Sequence, residues 1–335
     1  MVEEVRRILA RYGSELLELP RVVGVGVGYK AVRGEVTKKP ALVVLVSEKL
    51  PVTRLKRDER IPRLLGKAET DVLEVGELRL LTSRTEYKRP AQPGVSIGHF
   101  KITAGTFGAV VKDRKTKKPL ILSNNHVLAN ISNGNDGRAS PGDPILQPGP
   151  YDGGSREQVI GYLERFIPLY SEVQEVTCNK ALRAERLANS LLRLVRPDYR
   201  FQLQKLAPTP NVVDAAVARP VDPAAIIDEI LGLGKVRGVR EPQIGLEVVK
   251  SGRSSGITRS TVKVLQATVK VILEEGLKGV FVDQFITGPM AQPGDSGSLI
   301  LDGENYAVGL LFAGSDKSTV GNRIANVLDR LNVEF

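Results

Sequence analysis

The chain contains no tryptophan, two histidines, two methionines and one cysteine among its 335 residues, and only 5% of it is aromatic. A single cysteine, Cys178, excludes an intrachain disulfide and points to a reducing compartment and a cytoplasmic location. The scarce aromatics form no stacking platform, so nucleic acid is disfavoured as a partner even though the net charge is +10. The densest basic run, residues 112–119, lies between two apolar segments, where a solvated hairpin turn belongs. No apolar stretch approaches the roughly 18–20 residues of a membrane span. The first residues lack the basic end and continuous apolar core of a secretory signal. No membrane partner is therefore expected. Asp136, Asp143 and Asp152 sit in loops without calcium-loop spacing, and neither a metal nor a cofactor is expected.

What is present divides into two parts. Val2, Val5, Ile8, Leu9, Tyr12, Leu16 and Leu17 recur mostly at spacings of three and four, which predicts a helix over residues 2–17. Strands are predicted over residues 19–29, 41–46 and 71–75, with a short helix near 61–66. The alternating glycines from Gly24 to Gly28 fall inside a strand. A dinucleotide loop would need them between a strand and a helix, so close backbone packing is the better reading. Residues 1–85 therefore form a small α+β domain, and residues 82–94, with Pro90 and Pro93, read as a linker. From 95 to 335 short strands alternate with Gly, Pro, Asn and Asp, the pattern of an all-β barrel or sandwich. Helices are predicted over 179–195, within an insertion at about 163–210, over 224–231 behind an Asp222-Pro223 cap, and around 324–331.

Three separated residues carry the chemistry. His126 follows Leu-Ser-Asn-Asn, Asp214 interrupts the apolar run Val-Val-Asp-Ala-Ala-Val, and Ser296 lies within Gly-Asp-Ser-Gly. A serine hydroxyl needs an adjacent base to become a nucleophile, and imidazole titrates near working pH. A carboxylate among apolar residues is costly without a partner, and orienting an imidazole supplies one. Gly294 and Ser296 are positioned to offer backbone N–H groups to an oxyanion. Asp295 is too close to the serine in sequence to reach the far side of the imidazole, and is rejected as the acid. The order His, Asp, Ser is that of chymotrypsin-type hydrolases.

At these residues the segment from about 95 to 335 resembles the chymotrypsin/trypsin-like serine proteases, and is most similar to the Narrow leaf-type trypsin-like proteases of plants and bacteria. Residues 123–130, 142–150 and 211–216 carry the closer likeness, and residues 249–258 resemble a strand turn of bacterial members. The resemblance implies a mostly β fold, a chymotrypsin-like double β-barrel with a helical insertion behind a small α+β domain. It implies a serine endopeptidase acting on protein or peptide through an acyl-enzyme, with His126, Asp214 and Ser296 catalytic. It further implies that Met290, Ala291, Phe312, Ala313, Gly314 and Gly321 bind substrate. No acid falls at the pocket floor, which argues against Arg or Lys specificity. No cleaved Ile-Val-Gly-Gly-type terminus precedes the barrel, so the site is expected to be preformed or ordered by homo-oligomerisation. Asn124-Asn125 before the histidine and Ser298 after Gly297 depart from the usual pattern. Two alternatives compete: a peptidase-fold scaffold that binds peptides or partner proteins with little turnover, and a nucleic-acid-associated factor.

Overall fold

The computed structural model describes residues 2–32, 35–76, 83–102, 104–174, 178–206 and 209–335. They group into two compact units, Met1–Thr82 and Ser83–Phe335.

In the first unit, α1 (Val2–Leu17) is followed by β1 (Val22–Val32), β2 (Glu35–Val46), β3 (Leu64–Leu65) and β4 (Ala68–Glu74). β2 lies between antiparallel β1 and parallel β4, and β3 pairs antiparallel with the outer edge of β4. The apolar stripe of α1 meets alternate residues of β2: Val5 and Leu16 pack with Leu42, Val44 and Val46. Gly24 to Gly28 lie within β1, as expected. The short helix predicted near 61–66 is instead a hairpin. Leu65 pairs with Ala68 around Gly66, whose φ of 56° turns the chain back before a helix can form.

The second unit holds two barrels. The first contains β5 (Ser96–His99), β6 (Gly105–Thr106), β7 (Ala109–Asp113), β8 (Pro119–Ser123), β9 (Pro144–Leu146), β10 (Val159–Phe166) and β13 (Ala216–Pro220). Its strand order is β7-β8-β13-β10-β9-β5-β6. β6 and β7 are successive parts of one segment, so pairing with β5 at its start and β8 at its end closes the ring. The second contains β14 (Gly238–Val239), β15 (Glu247–Gly252), β16 (Gly256–Glu274), β17 (Leu277–Thr287), β18 (Leu299–Asp302), β19 (Tyr306–Gly314) and β20 (Thr319–Arg323). Its order is β14-β19-β18-β15-β16-β17-β20, and the β19–β20 pairing closes it. This is a chymotrypsin-like double β-barrel.

Side-chain alternation explains how the barrels join. Ile121 of β8, Ala216 and Ala218 of β13 fill the first barrel, while Leu120, Leu122 and Val217 face away from it. Ile300 and Val308 fill the second barrel, while Leu299, Leu301 and Ala307 face away. The outward sets meet in one shared core, sealed by Ile324, Val327, Leu328 and Leu331 of α4 (Ile324–Leu331). Strands buried on both faces therefore end at the seam between the barrels.

Two expectations change here. Residues 83–94, read as linker, belong to the second unit: Ala91 is fully buried and pairs in parallel with Ile226, and Arg89 donates to Gln147. That pairing also limits the helix expected over 224–231. Asp222 caps Ala224 N–H at 2.8 Å as anticipated, but the helix is one 3-10 turn, Pro223–Ala225, before Ile226 extends to meet Ala91. Between β10 and β13 the chain leaves the barrel to form α3 (Asn179–Val195), flanked by the paired β11 (Val173–Gln174) and β12 (Lys205–Leu206).

Candidate active site

All three predicted residues lie just beyond the ends of strands that line the shared core. β8 ends at Ser123, and His126 lies on α2 (Asn125–Leu128) immediately after it. Asp214 lies two residues before β13, outside the strand itself, with its side chain 2% exposed. Ser296 is half-buried just before β18.

Asp214 is held from several sides. Its Oδ2 lies 2.5 Å from His126 Nδ1, and its Oδ1 accepts the His126 backbone N–H at 3.2 Å. An ionised carboxylate can only accept, so the proton in this contact belongs to the imidazole Nδ1. The His126 side chain is 27% exposed, enough for a substrate or serine to reach it. The Asp214 main chain is fixed too. Its carbonyl accepts Asn124 Nδ2 at 2.7 Å, and its N–H donates to Asn322 Oδ1 at 3.1 Å. Asn322 also donates to Leu310 on β19, tying the acid to the second barrel. Asn124 and Asn125, the unusual pair before the histidine, thus have structural work. Asn125 donates to the carbonyls of Ser132 and Ile167.

The serine segment is clamped between the barrels. The Ser296 carbonyl accepts Thr106 N–H at 2.8 Å, and Gly297 N–H donates to Leu311 at 2.9 Å. Gly297 has φ 93°, and a Cβ there would stand 2.1 Å from Ser123 Oγ, so only glycine fits. A Cβ on Gly105 would meet both Val127 and the Ser296 carbonyl, at 2.4 and 3.0 Å. The serine chain and the residue after His126 are therefore separated by the thickness of one glycine. The Ser296 Oγ takes no hydrogen bond among the described residues, nor does His126 Nε2.

The backbone donors around the serine follow a pattern. Asp295, Gly297 and Ser298 spend their N–H groups on Gln292, Leu311 and Asp295 carbonyls. Gly294 and Ser296 N–H have no acceptor among the described residues. Gly294 adopts φ 96°, and its carbonyl is fixed by Thr106 Oγ1 at 2.9 Å, which itself accepts Arg253 N–H. Two open donors two residues apart can receive an anionic oxygen.

Sequence reasoning missed the group that holds this loop. Lys250 on β15 is fully buried, and its Nζ lies 2.9 Å from Asp295 Oδ2, itself fully buried. Asp295 also accepts from Ser255 Oγ and from the N–H groups of Gln292, Ser254 and Ser255. Burial favours the neutral Asp295 carboxyl, but Lys250 and Ser255 outweigh it and hold the group below the usual carboxylate range. Burial pulls the Lys250 ammonium below its ordinary value, with Asp295 opposing. A lysine inside Val-Val-Lys-Ser carries the same signal as an aspartate inside Val-Val-Asp-Ala, and would have been found by it.

The expected substrate residues divide. Met290 is buried in the second barrel with Phe285 and Ile300, and Phe312 packs on Phe281 with ring centroids 4.7 Å apart. Gly321 lies beneath the Phe285 ring. Ala291 and Ala313 are half-buried and Gly314 is exposed, leaving small residues at the accessible surface. His99, the second histidine, is buried against Asp143 at 3.1 Å, far in sequence from the triad candidates. No cluster of three metal-ligating side chains occurs among the described residues, and no helix is long and apolar enough to cross a membrane.

No protein-family model matches the chain. It is similar to the curated Protein NARROW LEAF 1 of Oryza sativa subsp. japonica, 24% identical over 372 residues, which cover 93% of this chain and 57% of that protein. The chain thus spans a little over half the length of that relative. Among solved structures it is similar to Nocardiopsis protease (17% identity, TM-score 0.46, covering 73% of this chain and 98% of that one). It is also similar to Thermobifida fusca protease A (15%, 0.45, 73% and 98%) and to a glutamic acid specific serine protease (16%, 0.46, 73% and 99%). What the site can do follows from its own geometry.

Proposed function

We propose that the chain is a serine endopeptidase that cleaves peptide bonds through an acyl-enzyme. Ser296 Oγ attacks the substrate carbonyl while His126 Nε2 takes its proton. Asp214 holds the ring in the Nδ1–H tautomer and stabilises the imidazolium as it forms. The carbonyl oxygen, now an anion, moves between the Gly294 and Ser296 N–H groups. His126 then returns the proton to the departing amine, and a water repeats the sequence to free the enzyme. The observation that carries this reading is the coincidence of a buried carboxylate on the imidazole with two unspent backbone donors, those of Gly294 and of Ser296 itself.

The accessible small residues Ala291, Ala313 and Gly314 support a modest apolar side chain on the acyl side of the cleaved bond. The peptide would lie as an added strand along residues 312–314. The single exposed Cys178 supports a reducing, cytoplasmic setting. The test is peptide cleavage by the full chain against Ser296→Ala. Turnover abolished by that substitution supports the reading. Tight peptide binding without turnover in the unsubstituted protein would favour the scaffold alternative.

A further inference from the structure

The helix α3 takes no part in any barrel core: none of its 17 residues is buried. It is held by the segment that follows it. Asn189 donates to the Phe201 carbonyl at 2.8 Å and accepts its N–H at 2.7 Å, and Glu185 accepts Leu203 N–H at 3.2 Å. Those contacts, with half-buried Leu182 and Leu192, define the inward face. The outward face is apolar. Leu187, Leu191 and Leu194 follow at spacings of four and three, and are 65%, 59% and 82% exposed, with Val195 beside them at 78%. Arg183 borders this stripe, Arg186 and Arg193 lie further round on the same side, and Lys180 stands in line with it two turns before Leu187. Tyr199 and Phe201, in the segment that follows the helix, are also exposed. Residues 179–206 carry seven Lys or Arg against two acids, Glu185 and Asp198. Of the cations, Arg200 alone approaches a carboxylate among the described residues, at 3.9 Å from Glu185.

We infer that α3 is a surface-binding helix that lies on an anionic lipid bilayer, its leucines in the acyl boundary and its arginines on the phosphates. Such a surface asks for an apolar stripe edged by cations, with aromatics at headgroup depth and no fitted pocket. Charge decides against a second copy of the chain as occupant, because two such helices would oppose arginine to arginine. The expectation of no membrane partner rested on the missing span, and a helix lying in the interface needs none. The inference stands apart from the peptidase reading, since no residue of α3 belongs to the site.

The chain has no tryptophan, so Leu191→Trp places a single reporter on the stripe. The full-length variant is titrated with vesicles of phosphatidylcholine alone and with about one third phosphatidylserine. The expected result is a blue shift and bromolipid quenching with anionic vesicles only. Affinity should fall at least about tenfold with Arg183→Gln/Arg186→Gln/Arg193→Gln, and equally with Leu187→Gln/Leu194→Gln. Circular dichroism confirms that these exposed substitutions leave the fold intact. The inference is overturned by an unmoved spectrum, or by binding that the leucine substitutions leave unchanged, which would reflect overall charge. It is also overturned by retention on polyglutamate but not on vesicles. A mass in light scattering that halves with Leu187→Gln/Leu194→Gln in the absence of lipid overturns it too, because the stripe is then a contact between copies.

Discussion

Replacing Lys250 with methionine probes the loop that carries the serine without touching the triad. The ammonium lies in a fully buried site, 2.5 Å from Ser255 Oγ, 2.9 Å from Asp295 and 3.1 Å from the Gly256 carbonyl. Methionine keeps most of the volume but removes the buried ion-pair partner of the Asp295 carboxylate. Breaking one side of a buried pair costs about 3–5 kcal/mol. The cheapest escape is local, because the same carboxylate fixes the N–H groups of Gln292, Ser254 and Ser255 around residues 292–298. Displacing Gly294 or Ser296 N–H should then lower kcat/KM by about a hundredfold or more, the effect of losing one oxyanion donor. Adding Asp295→Asn removes the carboxylate charge, so the double variant should unfold at a higher temperature than the single one. The assays are kcat/KM on a peptide substrate and calorimetric unfolding of both variants. Wild-type turnover with an unchanged midpoint in Lys250→Met would refute the reasoning. So would a double variant no more stable than the single one.

Asn322→Ala should leave the buried Asp214 N–H without an acceptor, costing about 1–3 kcal/mol, and should lower kcat with little change in KM. Steady-state kinetics separates the two parameters. Gly297→Ala drives a methyl into Ser123 Oγ and the Thr106 carbonyl at positive φ, and should destabilise the fold by about 2–4 kcal/mol, read by urea unfolding. His99 is kept below its ordinary pKa by burial, against the pull of Asp143. The unfolded chain therefore takes up this proton first, and stability should decline as pH falls below about 6.5. His99→Asn should flatten the fall of the unfolding midpoint below about pH 6.5 relative to the parent.

The pairing of Asp214 with His126 was legible because each is a rare or costly residue in its context. An aspartate within Val-Val-Asp-Ala-Ala-Val cannot be solvated, and one of only two histidines follows an apolar strand. α1 and α3 were legible from their periodicity, α3 over the bounds anticipated. What stayed hidden depends on pairing between distant segments. The Asp222 cap was correctly read, yet the helix behind it ends after one turn because Ile226 is captured by Ala91, 135 positions away (226 − 91 = 135). Asn322 and Asn124 act on the Asp214 main chain, and main-chain partners leave no trace in composition. Gly321 and Phe312 gave no hint that Phe285 and Phe281 would occupy the space beside them. Gly66 gave a signal, a positive-φ glycine after two leucines, that reads equally as a helix end or a hairpin turn.

The central claim is that the Ser296 hydroxyl is made nucleophilic by the Asp214-bound imidazole. It is tested most directly by treating the full chain with a fluorophosphonate and mapping the modified residue by mass spectrometry. The account expects one adduct, on Ser296, formed readily in the parent, lost in Ser296→Ala and slowed by several orders of magnitude in Asp214→Asn. An adduct elsewhere, or labelling of Ser296 at the same rate with and without the Asp214 carboxylate, would contradict it.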